Sequence, residues 1–291
     1  MLRWTAAGAV AAPTSVQIRV QRHYEARVRA GAPRPSRSLT EVELRDNILH
    51  FTAGMRGPRT APCTTLVLSG EGVASRPDTA AALALAREQG VVYIVLHATV
   101  ADLSADTLPE LARRVDVLVM PILVGHNANQ RQSLVAQAKA LGLRVATNTV
   151  LTPGALPNVV ETARALVANP PTSVTFTYPF PTSRTANPPP PAAAVAALRP
   201  ALAILDAAGL PARIKGLPAC LLGPDAHRLG RTTNRWYVDA DHQRGDALVF
   251  FPDVVAFHKD DACRFCAADG RCDGFFSRWL AREGAPKLQP L

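Results

Sequence analysis

Residues 65–97, TLVLSGEGVASRPDTAAALALAREQGVVYIVLH, contain the pattern that decides the fold. Two apolar runs, 65–69 and 91–97, flank a stretch at 79–89 whose apolar positions have helical spacing, and Gly90 follows where a helix would end. Both runs are rich in Val, Leu and Ile and are mostly continuous, as in strands that are covered on both faces. The segment therefore predicts a strand, a crossover helix and a second strand parallel to the first.

The same alternation recurs along most of the chain. Further strands are predicted at 42–50, 115–122, 143–150, 173–178 and 212–216, and further helices at 128–141, 157–168 and 192–208. From residue 217 the composition changes, and a hairpin of 235–238 with 247–251 is expected there. We predict an α/β protein with a partial (β/α)6 TIM-like barrel at 41–216 and a small C-terminal cysteine-rich extension at 217–291.

The charge of the chain is concentrated at its start. The net charge is +9, and residues 1–40 contain seven Arg and one Glu, which leaves only +3 for the other 251 residues. We interpret 1–40 as a basic flexible tail, and with 5% aromatic residues a nucleic-acid partner is not expected. No apolar run is long enough to cross a bilayer, so a membrane protein is not expected either.

Three of the five cysteines are close together near the end of the sequence. Cys263 and Cys266 form a C-x-x-C pair, and Cys272 follows after five intervening residues. Two thiolates on one tight turn can bind the same metal or cluster, and Gly270 and Gly274 provide backbone freedom around it. Such chemistry is typical of a reducing cytoplasm, which we expect as the compartment. We call residues 259–274 the cysteine knuckle.

The fourth ligand of this site is expected outside the knuckle. Cys220 is the best candidate because it opens the same C-terminal segment. A [4Fe–4S] cluster and zinc both accept four thiolates, so the residue types leave the metal open. Three unrelated buried cysteines are the remaining interpretation.

These motifs resemble the radical SAM superfamily over residues 40–291. The knuckle, with the aromatic-rich segment after it, looks like the auxiliary-cluster tail of SPASM and twitch-type members. LVLSGEG at 66–72 resembles the second-strand turn of the family, ATNTVLT at 146–152 its fifth-strand segment, and YPFP at 178–181 the end of its sixth strand. The resemblance implies that Gly70, Glu71 and Asn148 line a pocket for S-adenosylmethionine.

The defining motif of that family is missing. A C-x3-C-x-Φ-C loop should follow the first strand, but the stretch 44–63, LRDNILHFTAGMRGPRTAPC, contains only Cys63. One thiolate cannot hold the cluster that reduces S-adenosylmethionine. We therefore expect a degenerate member, a pseudoenzyme that retains an auxiliary [4Fe–4S] site and serves as an accessory or substrate-binding partner. Its partner would be a catalytic radical SAM enzyme or a peptide substrate.

Two other functions remain open from the sequence. The first is an active S-adenosylmethionine-binding enzyme of the same superfamily with atypical cluster ligation. The second is a zinc-stapled βα hydrolase or lyase with His97 or His126 as base and Glu71 as acid. Asp239, Asp241 and His242 could suggest a divalent metal, although a polar hairpin turn explains them better.

Overall fold

A central, mostly parallel sheet organises the chain in the computed structural model. The structure describes residues 2–5, 8–22, 37–52, 61–122, 128–181, 187–231, 233–250, 256–282 and 286–291. Within these residues the strands are β1 Leu2–Thr5, β2 Gly8–Ala11, β3 Ser15–Arg19, β4 Gln21–Arg22, β5 Arg37–Ser38, β6 Thr65–Ser69, β7 Tyr93–His97, β8 Val117–Ile122, β9 Arg144–Val150, β10 Ser173–Thr177, β11 Ala212–Lys215, β12 Arg235–Val238, β13 Leu248–Phe250, β14 Phe257–His258 and β15 Phe275–Phe276. The α-helices are α1 Glu41–Thr52, α2 Thr79–Glu88, α3 Thr107–Ala112, α4 Ala128–Ala140, α5 Val159–Ala168, α6 Pro191–Ala207, α7 Ala219–Leu222 and α8 Ser277–Leu280.

Nine strands form the main sheet in the order β11-β10-β9-β8-β7-β6-β3-β12-β13. Neighbours pair in parallel wherever a register is described, except for β12 and β13, which form the antiparallel hairpin predicted from the sequence. The predicted α/β class with a partial barrel is confirmed, and the sheet is not closed, because β11 and β13 lie at its two edges.

The first strand of the repeat is β3, which lies within the stretch predicted as a flexible tail. Val16 and Ile18 are fully buried, and β3 pairs with β6 on one side and β12 on the other. The alternation of apolar and polar residues in SVQIR is the pattern of a half-buried strand. The prediction of a flexible tail is therefore wrong for this segment. The high positive charge of residues 1–40 favoured the tail, and the five-residue alternation was too short to outweigh it.

The segment 42–50, predicted as a strand, is instead part of helix α1. Thr40 and Glu43 form a capping box, in which the Glu43 carboxylate accepts the Thr40 N–H at 2.8 Å and Thr40 Oγ1 accepts the Glu43 N–H at 3.2 Å. Leu44, Ile48 and Phe51 follow at helical spacing and are buried. A T-x-x-E sequence before an apolar run was a helix signal that the strand interpretation overlooked.

The chain divides into two compact units, and this division crosses the predicted extension. The first unit comprises Met1–Met120, Asn129–Val145 and Asn234–Val254, and the second comprises Pro121–Ala128, Ala146–Thr233 and Val255–Leu291. The hairpin of β12 and β13 therefore belongs to the first unit, whereas the knuckle belongs to the second. Among the described residues, every helix is too short or too polar to traverse a bilayer.

Candidate metal centre

Four cysteines line one cavity in the second unit. Cys220, Cys263, Cys266 and Cys272 share its wall with main-chain and apolar groups from three short segments. All four are partly buried, and none forms a disulfide. The structure thus brings together the knuckle and the residue that the sequence suggested as its fourth member.

Two tight turns build the knuckle. The first runs through Asp261–Phe265, where the Cys266 N–H donates to the Cys263 carbonyl at 3.0 Å, and the second spans Asp269–Arg271. Lys259, which lies two residues before the first turn, contacts the second, because its Nζ donates to the main-chain oxygen of Asp269 at 2.8 Å and to its carboxylate at 2.7 Å. The C-x-x-C pair and Cys272 line the same cavity.

Gly274 allows the knuckle to close. Its φ is +86°, and a Cβ at this position would lie 2.2 Å from the carbonyl oxygen of His258. The strand pairing of β14 with β15 begins next to it, with His258 opposite Phe275. Gly270 is the other glycine singled out from the sequence, and a Cβ added there would meet no atom within 4 Å, so close packing does not require it.

Cys220 reaches the cavity on the short helix α7. The Ala219 N–H, at the start of that helix, donates to Cys272 Sγ at 3.5 Å. Burial raises the pKa of the Cys220 thiol, and the neighbouring Cys272 acts in the same direction, while a hydrogen bond from the Gln289 main chain opposes them. A metal cation that replaced the proton would relieve this cost, since metal-bound cysteine is a thiolate.

Main-chain N–H groups surround the sulfurs. Cys266 Sγ accepts hydrogen bonds from Ala268 and Leu291, each at 3.4 Å, and Cys272 Sγ accepts one from Gly274 at 3.4 Å in addition to that from Ala219. Such donors stabilise thiolates and are among the groups that set the potential of iron–sulfur clusters. In the described residues, no N–H group donates to Cys263 Sγ.

The cavity that the four cysteines line is small. Its volume is about 20 Å³, more than one water molecule needs. In the described part of the chain, no three His, Cys, Asp or Glu side chains are arranged to hold a metal ion. The described residues therefore show neither a cluster nor a zinc site at this cavity.

An aromatic cluster packs the knuckle against the end of β10. The rings of Tyr178 and Phe275 are 5.6 Å apart, and Trp279 Nε1 donates to the Pro179 carbonyl at 3.0 Å. Tyr178 donates its hydroxyl to the Pro189 carbonyl at 2.6 Å, and burial raises its pKa to about 12. The YPFP segment therefore has a structural role in the second unit, because it anchors the segment that follows Cys272.

The fifth cysteine, Cys63, does not line this cavity. Cys63 lies just before β6 in the first unit, is 2% exposed, and directs its sulfur to the Pro13 carbonyl at 3.9 Å. Strand β3, the first strand of the repeat, is followed by the stretch 20–40. Residues 20–40 contain no cysteine at all.

The residues predicted to contact S-adenosylmethionine lie in or directly after strands that the sequence predicted. Counted from β3, Gly70 and Glu71 directly follow the second strand, and Asn148 lies in the fifth. Gly70 has φ +129°, and a Cβ there would lie 2.8 Å from the Gln21 nitrogen. The exposed Glu71 is next, and the Gly72 N–H donates to the buried Asp102 carboxylate at 3.1 Å. This turn is thus held in a defined shape in the first unit.

Asn148 is positioned separately, in the second unit. Its Oδ1 accepts a hydrogen bond from Thr177 Oγ1 at 2.7 Å, and its side chain is half-buried on β9. Its role as a ligand to S-adenosylmethionine, like those of Gly70 and Glu71, stays a prediction.

Two histidines and the turn at Asp239 are the remaining polar groups that the sequence suggested as candidates. His97 ends β7 and is half-buried, whereas His126 lies outside the described residues. The Asp239 carboxylate is fully buried and accepts the N–H groups of Asp241 and His242 at 2.9 and 3.0 Å. This is the geometry of a polar hairpin turn, and it explains these three residues without a metal.

Solved structures with a fold similar to that of this chain are known. No family model and no curated protein matches the chain. The chain is similar to SuiB of Streptococcus suis bound to S-adenosylmethionine, with a TM-score of 0.51 and 11% identity over 70% of this chain and 50% of SuiB. A second SuiB structure gives a TM-score of 0.50 at 10% identity, over 70% and 49% of the two chains. This chain spans about half the length of SuiB, and at this identity the likeness shows a shared fold alone.

Proposed function

We propose that this protein is an iron–sulfur protein whose Cys220, Cys263, Cys266 and Cys272 hold one [4Fe–4S] cluster on a radical-SAM-like fold. The observation that carries the proposal is the shared cavity of these four cysteines, which come from two segments far apart in the sequence. The bound cluster would supply one-electron chemistry. The chain supplies four thiolates, the main-chain donors to their sulfurs, and the aromatic packing that fixes the knuckle.

The cysteine inventory argues against a second cluster in the same chain. With four cysteines at the knuckle cavity, only Cys63 remains, and it is buried in the first unit. A [4Fe–4S] cluster that activates S-adenosylmethionine needs three protein thiolates. We therefore propose an accessory role, in which the protein holds a peptide or small molecule for a catalytic radical SAM enzyme or exchanges electrons with it.

Anaerobic purification tests the cluster directly. We expect about four iron and four sulfide ions per chain and an EPR signal after reduction with dithionite. Parallel zinc analysis is essential, because a colourless protein with one zinc and no iron would overturn the proposal in favour of a structural zinc site.

S-adenosylmethionine binding is a second candidate function. It is favoured by the likeness in fold to SuiB bound to S-adenosylmethionine and by the placement of Gly70 and Glu71 after the second strand. Calorimetry with S-adenosylmethionine, together with an assay for 5′-deoxyadenosine, separates the two candidates. The accessory function predicts no 5′-deoxyadenosine from this protein. Absence of both binding at millimolar ligand and product would exclude the second candidate.

A further inference from the structure

The segment 288–291 lies over the cysteine cavity although it contains no cysteine. Leu288, Gln289 and Pro290 line the cavity, and Ala267 donates its N–H to the Leu291 carbonyl at 3.4 Å. The segment is therefore attached to the C-x-x-C turn through its main chain. We call residues 288–291 the cover.

The N–H groups of the cover differ from the other donors at the cavity, because they lie outside the segments that carry the cysteines. Ala268 and Gly274 each lie two residues after the cysteine that they contact, and Ala219 is adjacent to Cys220. Their donors cannot be removed without disturbing a ligand. The cover instead supplies the Leu291 N–H to Cys266 Sγ at 3.4 Å and the Gln289 N–H to Cys220 Sγ from outside the ligand-bearing turns.

The local sequence suits this arrangement. In extended chain, alternate residues point their N–H groups to the same side, so Gln289 and Leu291 can both face the sulfurs. The residue between them, Pro290, has no N–H group that would point away from the cavity and need a partner. The cover thus offers two donors to the site with no intervening donor to satisfy.

We propose that the cover tunes and protects the cluster, and that the Gln289 and Leu291 N–H groups stabilise the cluster-bound sulfurs of Cys220 and Cys266. This inference rests on the proposed iron–sulfur function. Hydrogen bonds to the sulfurs favour the reduced, more negative cluster, and the cover also limits access of solvent and chelators to the iron. Its loss should lower the reduction potential and speed the loss of iron.

Proline substitution tests the donors with matched controls. Gln289→Pro and Leu291→Pro each remove one N–H group, whereas Gln289→Ala and Leu291→Ala keep it and shorten the side chain. In anaerobically purified full-length protein, we expect the proline variants to bleach about tenfold faster with an iron chelator than the alanine variants. An EPR-monitored titration should give a more negative midpoint potential for the proline variants. Equal bleaching and equal midpoints within each proline–alanine pair would overturn the proposal.

A measurement on the unmodified protein covers the possibility that a proline variant does not fold. Hydrogen–deuterium exchange of residues 286–291 is compared between the cluster-loaded and the cluster-free chain. We expect slower exchange at Gln289 and Leu291 in the loaded protein, and equal rates would overturn the proposal. If the wild-type protein binds no cluster, the proposed function itself fails, which is a different result from a loaded protein whose cover has no effect.

Discussion

The main-chain N–H of Ala219 lies 3.5 Å from Cys272 Sγ, 53 residues farther along the chain. This contact joins α7, which carries Cys220, to the turn that carries the third cysteine of the knuckle. Neither segment contains all four thiols, so the site requires the tertiary structure of the second unit. Cys220, and not Cys63, lines the same cavity as the three knuckle cysteines.

Substitution of Cys220 should therefore remove the cluster. We expect Cys220→Ser to retain less than half of the wild-type iron after anaerobic purification, since a serine oxygen is a poor replacement for a thiolate. Cys63→Ala is the matched control, because Cys63 is buried in the first unit and does not line the cavity. It should keep its iron and lose about 1 kcal/mol of stability through the small space left behind. Equal iron contents in the two variants would contradict the assignment of Cys220.

The knuckle cysteines should differ in importance. Cys266 Sγ accepts two main-chain hydrogen bonds, whereas no described N–H group donates to Cys263 Sγ. Since hydrogen bonds to a ligand add to its affinity for the metal, Cys263→Ser should retain more iron than Cys266→Ser. Iron and sulfide analysis of both proteins, purified side by side, measures the difference. The reverse order would show that hydrogen bonding does not rank these ligands.

The sequence predicted most of the elements, because their signals are local. Strands β6 to β11 and helices α2 and α4 to α6 follow from apolar runs and helical spacing between glycines and prolines. Strand β3, the first strand of the repeat, was not predicted, because SVQIR is only five residues long and lies among arginines. The positive charge therefore determined the interpretation of this segment. The capping box of Thr40 and Glu43 could have corrected the strand prediction for 42–50, since it is visible in the sequence.

The candidate site was only partly predictable, for a physical reason. The C-x-x-C spacing fixes two thiols on one turn, and Cys272 is near enough to join them by a local chain reversal. The donors from Gln289 and Leu291 have no sequence signal, because any residue other than proline provides a main-chain N–H. Only the folded chain shows that this segment lies over the sulfurs.

Gly274 should be essential for metal binding. A Cβ at this position would lie 2.2 Å from the His258 carbonyl oxygen, which is part of the backbone and cannot move without breaking the pairing of β14 with β15. We expect Gly274→Ala to prevent cluster assembly and to destabilise the knuckle by several kcal/mol, on the order of a buried steric clash with φ strain. Gly270→Ala, whose added methyl group meets no atom within 4 Å, should bind iron like the wild type. Loss of iron in both variants would contradict the steric explanation.

Gly70 should contribute to the stability of the first unit, independently of any ligand. Its φ of +129° suits glycine, and a Cβ would meet the Gln21 nitrogen at 2.8 Å and Val20 Cγ2 at 2.9 Å. We expect Gly70→Ala to lower the free energy of unfolding by about 2–3 kcal/mol, measured by urea denaturation. Gly90→Ala is the control, because its φ is also positive but no atom lies within 4 Å of the added carbon, and about 1 kcal/mol is expected. Equal losses would show that the close approach to Val20 and Gln21 has no cost.

Acid should weaken the first unit through Glu43. The hydrogen bond from the Gln243 side chain, at 2.9 Å, is the main cause that lowers the pKa of Glu43 below its usual value, with the Thr40 N–H as the next. A carboxyl group with a lowered folded-state pKa stabilises the protein above its unfolded-state pKa, and this contribution is lost as the pH falls through the folded-state value. Glu43→Gln keeps the shape without the titration. We expect the wild type to lose more stability than this variant between pH 6 and pH 3, as measured by urea denaturation. Equal losses in the two proteins would show that the Glu43–Gln243 contact does not make the stability depend on pH.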